Sequence, residues 1–216
     1  MKISFKNSKD NKFYNFSNKI YYIQIFNELI DLKLDILLEK PKDKTLWILF
    51  AVNLVLFLIC FIAFLLVAPL FPPGTDLTAV KNAWTKANMD YILFIWEINA
   101  APLLELMILL HVMDFFFMAF YGLLLASGFI LVARKLDGSE KLQKSYLLAF
   151  NFSWIAVLFD VLEGIFLYSI FFNPWGYNEL SVVGANLTAM ICIAFFYPAL
   201  LLVLIGLIGT YIKSRK

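Results

Sequence analysis

LLELMILLHVMDFFFMAFYGLLLASGFILVA, residues 103–133, decides the fold class. A membrane-spanning helix needs about 20 mostly apolar residues, and this stretch exceeds that with one acid, Asp114, deep inside it. Three more stretches qualify: Leu46–Leu70, Tyr146–Phe172 and Val182–Ile212. Hydrophobic residues make up 62% of the 216-residue chain and charged residues only 16%, against roughly 25% in soluble domains. A soluble domain of this composition would expose much of its apolar surface, and a bilayer removes that problem. The expected fold is an all-α integral membrane protein, a bundle of four transmembrane helices over residues 45–213.

Charge distribution orients the bundle. Lys and Arg gather in residues 1–44, in the connection Arg134–Lys144 and in Lys213–Lys216, while Phe71–Pro102 and Asn173–Ser181 hold only Lys81 and Lys86. The positive-inside rule places both termini and the 134–144 loop in the cytoplasm of a multi-pass cell-membrane protein. Forty-four polar and amphipathic residues precede the first span, so no secretory signal is expected there, and the first span reads as an uncleaved anchor.

Flanking segments fill out the plan. Ile25, Leu29, Leu32 and Ile36 recur at helical spacing, which predicts an amphipathic helix within 19–40 in the cytoplasmic segment 1–44. Residues 214–216 are a short cytoplasmic tail. Pro69 to Gly74 turn the chain after the first span. Leu77, Val80 and Trp84 then predict an outer interfacial helix within 76–100, with Asp76 or Thr78 as its cap and Trp84 and Trp96 at headgroup level. Pro198 interrupts the fourth span.

The spans carry acids where lipid disfavours them. An ionisable group in a membrane helix costs roughly 2.5–3.5 kcal/mol or more, so its default reading is functional. His111 and Asp114 lie i,i+3 on one face, and so do Asp160 and Glu163. Equal rises from the hairpin loop put Asp114 level with Glu163, His111 a turn further out and Asp160 a turn further in. Tyr121 lies two turns below Asp114, and Tyr197 comes to the depth of Asp160. Glu105 points away to the interface. The candidate site is therefore Asp114, Asp160 and Glu163, with His111 and Tyr121 as accessories.

No Lys or Arg lies within any span, so the acids are expected to have no balancing intramembrane cation. Three carboxylates in a low dielectric cannot all stay ionised together. They can share protons, which suits general acid–base chemistry. They can bind one divalent cation through His111, Asp114, Asp160 and Glu163, which suits metal-assisted chemistry. They can also face a wet vestibule. A di-metal centre lacks the required acids on the first and fourth spans. Asn53, Asn151, Ser153 and Thr188 read as helix–helix glue, and Phe115-Phe116-Phe117 as lipid-facing bulk. Cys60 and Cys192 read as small packing residues.

The pattern Met113-Asp114-Phe115-Phe116-Phe117-Met118-Ala119-Phe120-Tyr121-Gly122, followed by Phe159-Asp160-Val161-Leu162-Glu163-Gly164, resembles an uncharacterised family of small multi-pass prokaryotic membrane proteins. These carry an Asp, a Phe and a Tyr on one helix and Asp-x-x-Glu-Asn on the next. Asp114, Phe117, Tyr121, Asp160 and Glu163 fit, and Gly164 stands where the family has Asn. The resemblance covers two spans and implies a site without naming its chemistry.

Three functions follow from these residues. The first is lipid or small-molecule handling, enzymatic or not, at an outward-facing acidic pocket with membrane lipid as partner. The second is proton- or cation-coupled transport, which four spans support only as a homo-oligomer. The third is a structural or assembly role in which the acids fix helix pairing alone. Nothing points to a nucleic-acid partner.

Overall fold

The computed structural model describes residue 39 and residues 41–99, 102–136 and 139–214. The amphipathic helix expected within 19–40 lies outside the described residues. Residues 42–216 form one compact unit. Among the described residues it holds six α-helices and no strand: α1 Asp43–Val67, α2 Leu77–Lys81, α3 Lys86–Ile98, α4 Leu103–Lys135, α5 Glu140–Phe171 and α6 Glu179–Ser214. A short 3₁₀ turn, Ala68–Leu70, finishes α1.

Four of these helices are long and apolar enough to cross a membrane: α1 with its 3₁₀ turn, α4, α5 and α6. They run past the apolar stretches that predicted them, because polar residues such as Glu140 and Glu179 form their first turns. Helix α4 is the hub and packs against α1, α5 and α6, and α5 packs along α6. Two thirds of the most apolar window of α4 is buried, against 6% for α1. The open face of α1 presents side chains such as Ile59, Ile62 and Leu66 at more than half exposure. A contiguous apolar face of that kind is foreign to a soluble monomer and natural against lipid.

The two ends differ. At the basic end Arg134 of α4 pairs with Asp43 of α1 at 2.7 Å, and the Lys135 ammonium stands over the Trp47 ring. At the opposite, cap end, α2 and α3 fold over the bundle. Pro72 and Pro73 turn the chain, and Gly74 takes the positive φ of +76° that completes the reversal. Asp76 caps α2 by accepting from the Ala79 amide at 3.0 Å, and Thr85 caps α3 by accepting from Asn88 at 3.2 Å. The Glu179 carboxylate accepts the Lys86 amide at 3.1 Å, tying the start of α3 to the start of α6.

The single interfacial helix expected within 76–100 is thus two helices, since Thr85 starts a second one after the break at Asn82–Trp84. Trp96 faces inward rather than toward the surroundings. It is 3% exposed, its indole N–H donates to the Thr75 carbonyl at 3.0 Å, and its ring packs on Phe71 and Phe171. Buried Val80, Met89, Ile92 and Leu93 join it over Leu103, Met107 and Leu167, so the cap shares one apolar core with the adjoining ends of α4 and α5. Trp84 stays 40% exposed. The residues expected to glue helices together bond within their own helices instead: Asn53 to Leu49, Asn151 to Leu148, Ser153 to Phe150 and Thr188 to Gly184.

Candidate functional site

Helices α4 and α5 are antiparallel neighbours, and their i,i+3 pairs set the site. Asp114 stands eleven residues into α4, about 17 Å from its cap-end start at 1.5 Å per residue. Asp114 is 5% exposed, Asp160 5% and Glu163 2%. All three line one cavity of about 470 Å³, together with Tyr121 and Lys81.

Lys81 is the residue that sequence reasoning missed. It is the last residue of α2, and its ammonium reaches from the cap into the acidic cluster. Nζ lies 2.9 Å from Glu163 Oε1 and 4.0 Å from Asp114 Oδ2. The expectation of acids without a balancing cation is therefore corrected: the cation comes from a connection rather than from a span. Its side chain keeps 27% of its surface open, and Lys81 is itself a lining residue of the cavity. Enclosure alone lowers an ammonium pKa, but Asp114, Glu163 and Asp160 outweigh it and hold Lys81 well above its ordinary range. A signal for it existed. The acids need a cation, and the two connections at this end supply only Lys81 and Lys86.

The remaining polar groups sort by contact. The Tyr121 hydroxyl donates to Asp160 Oδ2 at 2.8 Å, and Cys192 Sγ lies 3.8 Å from the same hydroxyl. Asp114 Oδ2 is buried and, among the described residues, accepts no hydrogen bond. His111 does not join the acids. Its Nε2 lies 3.1 Å from the Gly164 carbonyl, which only accepts, so Nε2 carries the proton. Its ring sits edge-on to Phe115, Tyr168 and Phe171. A Cβ at position 164 would lie 3.1 Å from Phe115 and 3.4 Å from His111, so glycine leaves room for these two rings to close on α5. His111 is a clamp between α4 and α5.

The four residues expected as ligands of a single cation, His111, Asp114, Asp160 and Glu163, are not grouped around one point in this arrangement. Among the described residues no group of three or more His, Cys, Asp or Glu side chains is disposed to hold a metal ion. His111 is engaged with Gly164, and the Lys81 ammonium stands at the carboxylates a cation would need.

The cavity walls are apolar. Phe57, Leu58 and Phe61 of α1 stand on one side and Ile193, Phe196 and Tyr197 of α6 on the other. Leu58, Phe61, Ile193 and Tyr197 are each 44–61% exposed, so the cavity opens sideways between α1 and α6 on the outer surface of the bundle. Phe117 lines it and stacks on Phe57 at 4.8 Å, whereas its neighbour Phe116 is 59% exposed. The aromatic triplet thus divides: Phe117 is a wall residue, Phe115 packs with His111 and Tyr168 against α5, and Phe116 faces outward. A second cavity of about 380 Å³, at the cap end beside Glu97, Glu105 and Trp175, includes none of the cluster acids.

No family model matches the chain, and no curated protein or solved structure matches it.

Removing Lys81 should leave two buried carboxylates without their partner. Lys81→Met is expected to lower stability by about 1–3 kcal/mol, the scale of an orphaned buried polar group. Lys81→Met with Glu163→Gln should cost less than the sum of the two single changes. Thermal unfolding of the purified chain in detergent reads this. Additive effects would mean that Lys81 and Glu163 do not interact.

Proposed function

We propose that this chain is a multi-pass protein of the cell membrane that takes up an amphiphile, a lipid or lipid-like small molecule, into an acidic pocket in the outer half of the bilayer. One observation carries the reading: an apolar cavity of about 470 Å³ opens sideways between α1 and α6 and holds Lys81 and three acids. That is the form of a site for a molecule with an apolar body and a polar head, since ligand sites are mostly apolar with a few placed polar groups. The residues that carry the resemblance to the uncharacterised prokaryotic family support the same place, because Asp114, Phe117, Tyr121, Asp160 and Glu163 all line this cavity. The basic end, with Arg134, Lys135, Lys141, Lys144 and Lys213, is the cytoplasmic side on the positive-inside rule, which puts the cap outside.

A second reading has its own support. Lys81 ties α2 to α4 and α5, so the acids would serve as a fastening for the cap. The two readings separate by experiment. A photoreactive long-chain alcohol in membranes should label Leu58, Phe61 and Ile193 in preference to equally open apolar positions such as Leu65 and Ile208. Asp114→Asn and Asp160→Asn should weaken that labelling by about tenfold, the scale of one hydrogen bond to a charge. Unchanged labelling in both variants, with normal folding, sinks the pocket and leaves the fastening.

Orientation is tested on intact cells with a membrane-impermeant thiol reagent, Cys60 and Cys192 being buried. Trp84→Cys should react and Lys141→Cys should not. The reverse pattern would overturn the assignment of the cap to the outside.

A further inference from the structure

The acids that line the cavity outnumber the cation beside them. Asp114, Asp160 and Glu163 face it, and Lys81 brings one ammonium against three carboxyl groups. Glu163 has the short contact to Lys81, and Asp160 has the Tyr121 hydroxyl. Asp114 has the least. Asp114 lines the cavity, and its buried Oδ2 accepts no hydrogen bond from the described residues and has Lys81 only at 4.0 Å. A buried acceptor without a donor is costly, and one at a cavity wall points to a donor that arrives from the cavity.

The chemistry of that donor is constrained. Metal ions need oxygen ligands drawn in to about 2.0–2.6 Å, and the described residues offer no such grouping. An anionic head would meet the excess of acids. A quaternary ammonium carries charge but no N–H. A primary ammonium carries both the charge and three donors. We infer that the pocket selects amphiphiles with a primary-amine head, which donates to Asp114 Oδ2 while the apolar body lies between Phe57, Phe61 and Phe196. This deepens the amphiphile reading above and rests on it. Lys81 then acts as the pocket's own partial counter-ion, holding Glu163 in place and leaving Asp114 for the ligand.

The test is native mass spectrometry of the full chain in a neutral detergent, with dodecylamine, dodecyltrimethylammonium, dodecanol and dodecanoate as probes of equal chain length. Dodecylamine should bind at least about tenfold tighter than the trimethyl compound, because only it can donate to Asp114. Asp114→Asn should erase that advantage, while dodecanol binding weakens by about tenfold and stays measurable. Equal binding of dodecylamine and dodecyltrimethylammonium, or an advantage that survives Asp114→Asn, overturns the head-group inference. Dodecanol binding alone overturns it as well and leaves the pocket standing, whereas binding of no probe removes both. A parallel pair of lysolipids separates the sources of the amine. Preference for lysophosphatidylethanolamine over lysophosphatidylcholine assigns a bilayer aminophospholipid. No preference between them, with dodecylamine still favoured, assigns a free long-chain amine.

Discussion

An ammonium held between buried carboxylates is the contact on which the arrangement of this protein turns. Charges in a low dielectric persist only with partners, and removing one partner leaves the other uncompensated. Lys81 meets that requirement for Glu163 at 2.9 Å and reaches Asp114 at 4.0 Å. Because Lys81 sits on the short helix α2, the same contact ties the cap to the two helices that carry the acids. The cap's apolar core does the rest, with Trp96 donating to the Thr75 carbonyl within it.

Geometry elsewhere follows from the hub. Helix α4 touches every other long helix, while among the described residues α1 touches little besides α4. This leaves a sideways opening between α1 and α6 over the acidic face of α4 and α5. Aromatic contacts hold α1 against the hub around that opening, with Phe57 and Phe64 both packed on Phe117. The polar groups inside have unequal partners, and that inequality gives the cavity its chemical character. Among the described residues Tyr121 donates to Asp160, Lys81 stands against Glu163 at 2.9 Å, and Asp114 Oδ2 has no donor.

Length and hydropathy were enough to read the four long helices, since apolar runs of this size have few other fates. The i,i+3 spacing was enough to read Asp160 and Glu163 as one face, and equal rises from the hairpin loop to read Asp114 as its counterpart on α4. Other features lay beyond local pattern. His111 shares a face with Asp114 by spacing, yet a long-range bond to Gly164 takes it out of the cluster. Lys81 is 33 residues from Asp114 and 82 from Glu163, and only the folding of the cap brings it in. The break between α2 and α3 was hidden because Leu77, Val80 and Trp84 keep helical spacing across it. Phe117 was indistinguishable from Phe116 by type, and rotation of the helix alone separates wall from outer surface.

The most direct measurement is the reactivity of Lys81 itself. Reductive methylation uses reagents small enough to enter the cavity and attacks only the uncharged amine, so its rate reports how firmly the ammonium is held. Mass spectrometry of the intact chain in detergent then compares Lys81 with an exposed lysine such as Lys141. The account predicts that Lys81 is modified at least about tenfold more slowly, the effect of one pKa unit, and that Asp114→Asn with Glu163→Gln restores its rate. Modification of Lys81 as fast as Lys141 in the wild-type chain would contradict an ammonium held between Asp114 and Glu163.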